Sequence, residues 1–216
     1  MPEHRQLRFV APPGAATLLL IRHGESAPVR DGEPVPLLGG CSDPALDPVG
    51  VEQAERVADR LAGESLAAIY VTPLCRTAQT AAPLAARLGL EPRVEPDLQE
   101  VFLGDWEGGL FRKHVRDDHP TALRMREEGR WDVIPNAEPA ERFAARVRAG
   151  IERIAASHPD QTVAVVVHGG TIGQALALAT GAGPLPLAMA DNGSISELVV
   201  HGDTWVVRSY NDTAHL

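Results

Sequence analysis

Two histidines stand where apolar runs end: His23 in Arg22-His23-Gly24-Glu25-Ser26, and His168 in His168-Gly169-Gly170. A third apolar run, residues 67–71, leads into Thr72-Pro73-Leu74-Cys75-Arg76. A neutral imidazole is a competent nucleophile towards phosphorus, provided an acceptor pins its other ring nitrogen and fixes the tautomer. Arginine offers a planar fork to two phosphate oxygens and keeps its charge. Phosphoryl transfer asks a protein mainly for positioning and electrostatics. His23, His168, Arg22 and Arg76 can supply both without a metal. Gly24 and Gly169 would let the backbone approach a phosphate closely.

Taken singly, each feature has a plainer reading. An Arg-His-Gly tripeptide recurs by chance, a histidine after a strand is usually structural, and Arg76 alone would be a surface helix residue. The signal is their conjunction at three strand ends in one chain order. No carboxylates accompany His23 and His168 at ligand spacing, so no metal site and no cofactor are expected. Cys41 and Cys75 have no base motif beside them and read as packing residues. Trp106 and Trp131 read either as lining a substrate cap or as lid or core packing. His4, His114, His119, His158, His201 and His215 lie in polar or terminal contexts and read as solvated.

These groups need a scaffold that gathers strand ends. Residues 17–21 and 162–167 are continuous apolar runs of buried-strand length, and 67–71 is a third strand. The Gly/Pro-rich stretch 27–47 reads as a long functional loop. Asp47-Pro48 has the pattern of an N-cap followed by proline at the first helical position, with Val51, Ala54, Val57, Ala58 and Leu61 at helical spacing after it. Residues 74–88 are helical by pattern, and Pro83 predicts a kink or break there. A short strand is expected at 92–95, an inserted cap at 104–137, helices at 138–157 and 171–180, and two closing strands at 194–200 and 205–209. Strands alternating with helices predict an α/β fold: a single domain, 17–216, with a mostly parallel central sheet and helices on both faces. Residues 1–16 read as a mobile leader. In such sheets ligands bind beyond the carboxyl ends of the strands, where the histidines and arginines fall.

Composition narrows the partners. A net charge of -9 excludes a general nucleic-acid surface, and a phosphorylated ligand would need a local positive cluster to overcome it. No run has membrane-spanning or signal-peptide length. Two cysteines make neither a disulfide framework nor a zinc site, so the reducing cytoplasm is the expected location. A small phosphorylated molecule is the expected partner, and a homodimer is the one assembly entertained.

The motifs also carry a resemblance. Arg22-His23-Gly24-Glu25 resembles the name-giving motif of the histidine phosphatase superfamily, the clan of phosphoglycerate mutases and histidine acid phosphatases. Residues 72–81 resemble its second-arginine helix, which implies Arg76 as the second phosphate clamp. Residues 98–108 are similar to the segment carrying the family's proton donor, which implies Glu100 in that role. His168-Gly169-Gly170 matches the second histidine motif, and Asp191-Asn192-Gly193-Ser194 resembles a late loop near the pocket. The resemblance implies a phosphoglycerate mutase-like fold and a phosphomonoester hydrolase working through a phosphohistidine on His23. Where mutases carry a Trp-Asn pair this chain has Pro28 and Val29, residues 135–139 depart from the family's Pro-Gly-Gly-Glu-Ser, and the cap lacks an extended base-rich sequence. These departures point away from mutase activity, which, with a sugar bisphosphatase, is the nearest rival. A weakly active phospho-ligand binding module is the rival of another class.

Overall fold

A computed structural model describes residues 5–216. Its strands are β1 (Ala16–Arg22), β2 (Leu37–Leu38), β3 (Cys41–Ser42), β4 (Leu66–Val71), β5 (Arg93–Val94), β6 (Thr162–Val167), β7 (Ile195–His201) and β8 (Thr204–Asp212). Its helices are α1 (Pro48–Leu61), α2 (Cys75–Leu88), α3 (Leu110–Arg116), α4 (Pro120–Glu128), α5 (Ala140–Ser157), α6 (Gly169–Thr180) and the short α7 (Pro184–Leu187). Six strands form one sheet in the order β5-β4-β6-β1-β7-β8. Only β7 runs against the others, because a hairpin returns the chain along β8. The mostly parallel α/β architecture expected from the sequence is the one observed.

Alternation along the strands builds two cores. Leu18, Leu20, Val163, Val165 and Val167 face a cluster containing Phe143, Val147 and Ile151 of α5 and Ile172 and Leu176 of α6. Ile21, Ile69, Ala164 and Val166 face Val57 and Leu61 of α1 and Ala81 and Leu84 of α2. Strands buried on both faces read as continuous apolar runs, which is why β1 and β6 were legible. Helix α6 is buried almost all round, as a core helix is.

Several boundaries moved. Helix α2 runs unbroken through Pro83. Ala81, Leu84 and Ala85 are buried on either side of it, and Gln79 is exposed where water can take the carbonyl that proline leaves free. Helix α6 begins at Gly169, two residues earlier than expected, with His168 as its extended N-cap. Helix α5 begins at Ala140 after Pro139, and not at Glu138. The 27–47 loop contains the β2–β3 hairpin. Val51 is exposed, because the inward stripe of α1 runs through Gly50, Ala54, Val57, Ala58 and Leu61. Asp47 caps that helix, accepting from Gly50 N at 2.8 Å. His158 is buried, bonded to the Tyr70 hydroxyl at 3.0 Å and to Gln161 at 2.8 Å.

Of the expected leader 1–16, residues 1–4 lie outside those described. Residues 5–14 form no helix or strand, Phe9 lies under the Arg208 guanidinium at 4.0 Å, and Ala16 already belongs to β1. The stretch 104–137 holds α3 and α4, with Trp106, Ala122, Met125 and Trp131 joining the larger core. Among the described residues no helix is long and apolar enough to cross a membrane.

The turn after β1 presses on the first turn of α1. A Cβ on Gly24 would overlap the Gly50 carbonyl, and one on Gly50 would overlap the Glu25 backbone. Gly50→Ala is therefore expected to lower the unfolding free energy by about 1–3 kcal/mol. Gly63→Ala, whose Cβ meets nothing and whose φ is not positive, is expected to be neutral or to stabilise by about 0.4–1 kcal/mol. Urea midpoints separate the two, and equal midpoints would contradict the packing argument.

Candidate active site

Register places the two histidines. Strands β1 and β6 are parallel neighbours with Arg22 opposite Val167, so the next residue of each, His23 and His168, leaves the sheet at the same level. The His23 amide donates to Val167 O at 3.0 Å, and the two imidazole centroids lie 5.2 Å apart, edge to face. Strand β4 pairs with the other side of β6 and delivers Thr72, whose hydroxyl bonds His168 Nε2 at 2.9 Å. Helix α2 then brings Arg76 inward, where its Nε donates to His23 Nε2 at 3.1 Å and its Nη1 to Ser42 O at 2.9 Å.

These contacts define the His23 tautomer. Arg76 donates, so Nε2 is the acceptor and the proton sits on Nδ1, which donates to Gly24 O at 2.7 Å. Burial, then the charges of Arg76 and Arg22, holds His23 well below the usual imidazole range against the Gly24 hydrogen bond. Burial does the same to His168, helped by Arg76, His23 and Arg22. Two neutral imidazoles therefore lie beside two guanidiniums. Burial also lowers Arg22 and Arg76, with Glu100 the foremost opposing charge for both. Arg22 donates to Ala190 O and leaves its Nε without a partner, and His168 Nδ1 is likewise unpaired. Arg22 borders both cavities at the site, while His168 lines neither and lies buried beside His23; unpaired buried polar atoms of this kind mark a place for a ligand acceptor or donor.

Glu100 lines one cavity with Arg22, His23 and Arg76. Its carboxylate accepts from Val101 N at 2.9 Å and Gly170 N at 3.1 Å, and lies so close to Gly170 that a Cβ there would overlap it. At Gly24 and Gly169 the crowding neighbours are chain atoms, the Gly50 and Ala188 carbonyls, so packing already requires glycine at both. Glu25 lines the wider neighbouring cavity, away from Glu100.

Other contributors were not legible. Arg112 of α3 lines both cavities, held by Ser26 Oγ at 2.6 Å and Ala27 O at 2.9 Å. Lys113 and Arg116 line the wider cavity, so the cap is more basic at the site than its sequence suggested. The available signal was the run Arg112-Lys113-His114-Val115-Arg116, but nothing in it says which side faces inward. Arg146 was also missed. It pairs with buried Glu138 through Nε and Nη2, both at 2.8 Å, and donates to the carbonyls of Asp97, Gln99 and Glu100 at 2.8, 2.6 and 3.0 Å. That clamp sets the path of the backbone that carries Glu100. Asn192, in the late loop flagged by the sequence, donates to His23 O at 2.8 Å. Burial and the Asp43 carboxylate push the Cys75 thiol up to about 11, so it is no nucleophile at neutral pH. Among the described residues no group of three or more histidines, cysteines and carboxylates is placed to hold a metal ion.

The profile of the histidine phosphatase superfamily (branch 1) matches residues 18–213. The chain belongs to that superfamily. It is 30% identical over 206 residues to phosphoglycerate mutase-like protein 4 of Arabidopsis thaliana, covering 93% of this chain and 87% of that one. It is 30% identical to the metal-independent phosphoserine phosphatase of the same plant, covering 92% and 82%. Among solved structures, a mycobacterial glucosyl-3-phosphoglycerate phosphatase superposes with a TM-score of 0.74 at 28% identity, covering 92% of this chain and 100% of that one. Membership of the histidine phosphatase superfamily accords with the paired imidazoles and guanidiniums.

Neutral burial of both histidines ties stability to pH. Unfolded, each binds a proton below about pH 6.5; folded, each stays neutral to far lower pH. The unfolded state then holds more protons, so stability is complete above about pH 6.5 and falls below it, by up to about 1.4 kcal/mol per pH unit for each histidine. Urea unfolding at several pH values between about 7.5 and 5.5 should show this slope, and His168→Asn should remove part of it. A midpoint flat across that range would refute neutral burial.

Proposed function

We propose that this protein is a metal-independent phosphomonoesterase that hydrolyses small phosphorylated metabolites through a phosphohistidine on His23. The observation that carries the reading is the His23 imidazole, protonated on Nδ1 against Gly24 O with Nε2 turned towards Arg76 and the cavity. An entering phosphate dianion takes over the Arg76 N–H and frees the Nε2 lone pair. Nε2 attacks phosphorus in line and the ester P–O bond breaks, while Glu100, having taken a proton from solvent as the phosphate dianion entered, gives that proton to the departing alkoxide. Water, giving a proton to Glu100 as base, then attacks phosphorus and the P–N bond breaks, releasing phosphate and restoring neutral His23. Arg22, Arg76 and His168 hold the equatorial oxygens. With Thr72 donating to His168 Nε2, the unpaired Nδ1 carries a proton towards a phosphate oxygen. The dipole of α6 adds positive potential from Gly169 onward. Pro28 and Val29 in the wider cavity favour hydrolysis over the mutase reaction, since neither offers a side-chain amide to hold a phosphate between two orientations. Two free thiols fit the cytoplasm.

His23→Ala should lose turnover by orders of magnitude while still binding inorganic phosphate. Glu100→Gln should slow phosphorylation by an alkyl ester about 10²–10⁴-fold, and by an activated aryl ester far less. Rapid quenching of Glu100→Gln with the aryl ester should trap acid-labile phosphate on His23. Equal losses for the two ester types would remove Glu100 from the acid's role.

The positive charge at the site comes from guanidiniums, so exhaustive EDTA treatment should leave phosphate release unchanged. Complete loss restored by a divalent ion would overturn the metal-independent mechanism.

A further inference from the structure

Two cavities meet at His23, and they differ in chemistry. The wider, about 800 Å³, is lined by Glu25, Arg30, Asp31, Lys113 and Arg116 beside Arg22 and His23. The narrower, about 260 Å³, holds Arg22, His23, Arg76 and Glu100 at one end and Val29, Val101, Leu103, Trp106, Phe111 and Trp131 along its walls. Glu100 lines only the narrower one. An acid can protonate an alkoxide only within hydrogen-bond reach, so the alcohol half of the substrate must leave on Glu100's side.

Most polar groups in that wall are already engaged, the buried Trp131 indole N–H being an exception. The Glu107 carboxylate accepts from Ser42 N at 2.7 Å, from Leu103 N at 3.0 Å and from the Ser42 hydroxyl. Arg112 is held by Ser26 and Ala27. Beyond the phosphate end, what remains for a ligand is mainly aromatic and branched aliphatic surface, with the Trp131 indole N–H, the Arg112 guanidinium on its two neutral partners, and the Glu107 carboxylate. A second anionic group on the substrate would meet Glu107 there, and Lys113, Arg116 and Arg30, paired with Asp31, Asp117 and Glu33, line only the other cavity.

We propose that the preferred substrates are phosphomonoesters of alcohols with an apolar or aromatic body, seated against Trp106, Phe111 and Trp131, and that esters carrying a carboxylate beside the phosphate are poor substrates. This rests on the phosphatase reading above and on Glu100 as the acid. It assigns the narrow cavity to the leaving group and leaves the basic cavity to water entry and phosphate exit.

The test is a series of n-alkyl phosphates from methyl to hexyl, with phosphoserine, 3-phosphoglycerate and p-nitrophenyl phosphate alongside, on the full chain. Each methylene buried is worth about fourfold, so kcat/KM should rise by about that factor per carbon until the cavity is full. Phosphoserine and 3-phosphoglycerate should fall at least about tenfold below propyl phosphate, a penalty of about one pK-sized interaction with a like charge. In Phe111→Ala the ratio of hexyl to methyl kcat/KM should drop at least threefold; because it is a ratio, a general loss of folded enzyme cancels. A flat alkyl series, a carboxylate ester outrunning propyl phosphate, or an unchanged ratio in Phe111→Ala would each overturn the assignment while leaving the phosphatase reading standing. Absence of turnover on every ester, p-nitrophenyl phosphate included, would overturn both.

Discussion

Keeping two buried imidazoles neutral beside two buried guanidiniums is the constraint on which the site depends. Protonating either histidine would add a third buried positive charge, so burial and the arginines act together to prevent it. The hydrogen-bond pattern serves the same end. Gly24 O claims the proton on His23 Nδ1, Arg76 occupies Nε2, and the Thr72–Thr77 hydroxyl pair backs His168. Excess positive charge is answered from one direction by Glu100 and from others by Asp43 and Asp191. An arriving phosphate dianion completes this balance, which is how a chain with net charge -9 can hold an anionic ligand.

The framework around the site is organised to hold loops, because the reactive groups lie just past the strands. The turn after β1 is pinned by Gly24 against Gly50 and by the Gly24 amide on Thr80 Oγ1 at 3.0 Å. The acid's loop has no strand to hold it. Arg146, oriented by Glu138, and the Thr171 hydroxyl collect the carbonyls of residues 97–100, which would otherwise be buried acceptors without partners. A buried bidentate pair of this kind contributes position more than net stability. The cap then brings aromatic surface over the same pocket, with Trp106 and Trp131 both near the Phe111 ring.

Much of this was legible beforehand, for reasons tied to particular residues. Strands β1 and β6 are buried on both faces and so appear as unbroken apolar runs, and the two His-Gly pairs follow them directly. Asp47-Pro48 announced α1 because capping is local chemistry. Pro83 misled because local propensity was outweighed by burial of its neighbours in α2. The early start of α6 escaped notice because Gly169 and Gly170 read as turn residues, whereas here they lie under Ala188 and Glu100, where a side chain would not fit. His158 looked like a solvated helix-end residue until β4 placed the Tyr70 hydroxyl against it.

By itself the sequence determined the α/β alternation, the strand ends that carry His23, Arg76 and His168, and the residue types that can do phosphoryl chemistry. These follow from local patterning: hydrophobic period, caps and the residues directly after each run. Tertiary structure alone decided the rest. Parallel pairing of β1 with β6 set the imidazoles at one level, the backbone carbonyl of Gly24 chose the tautomer, and the packing of the cap and of α5 turned Arg112, Arg146 and the aromatic wall towards the site. Those contacts depend on which faces of separate elements meet, and no spacing within one segment of chain records that.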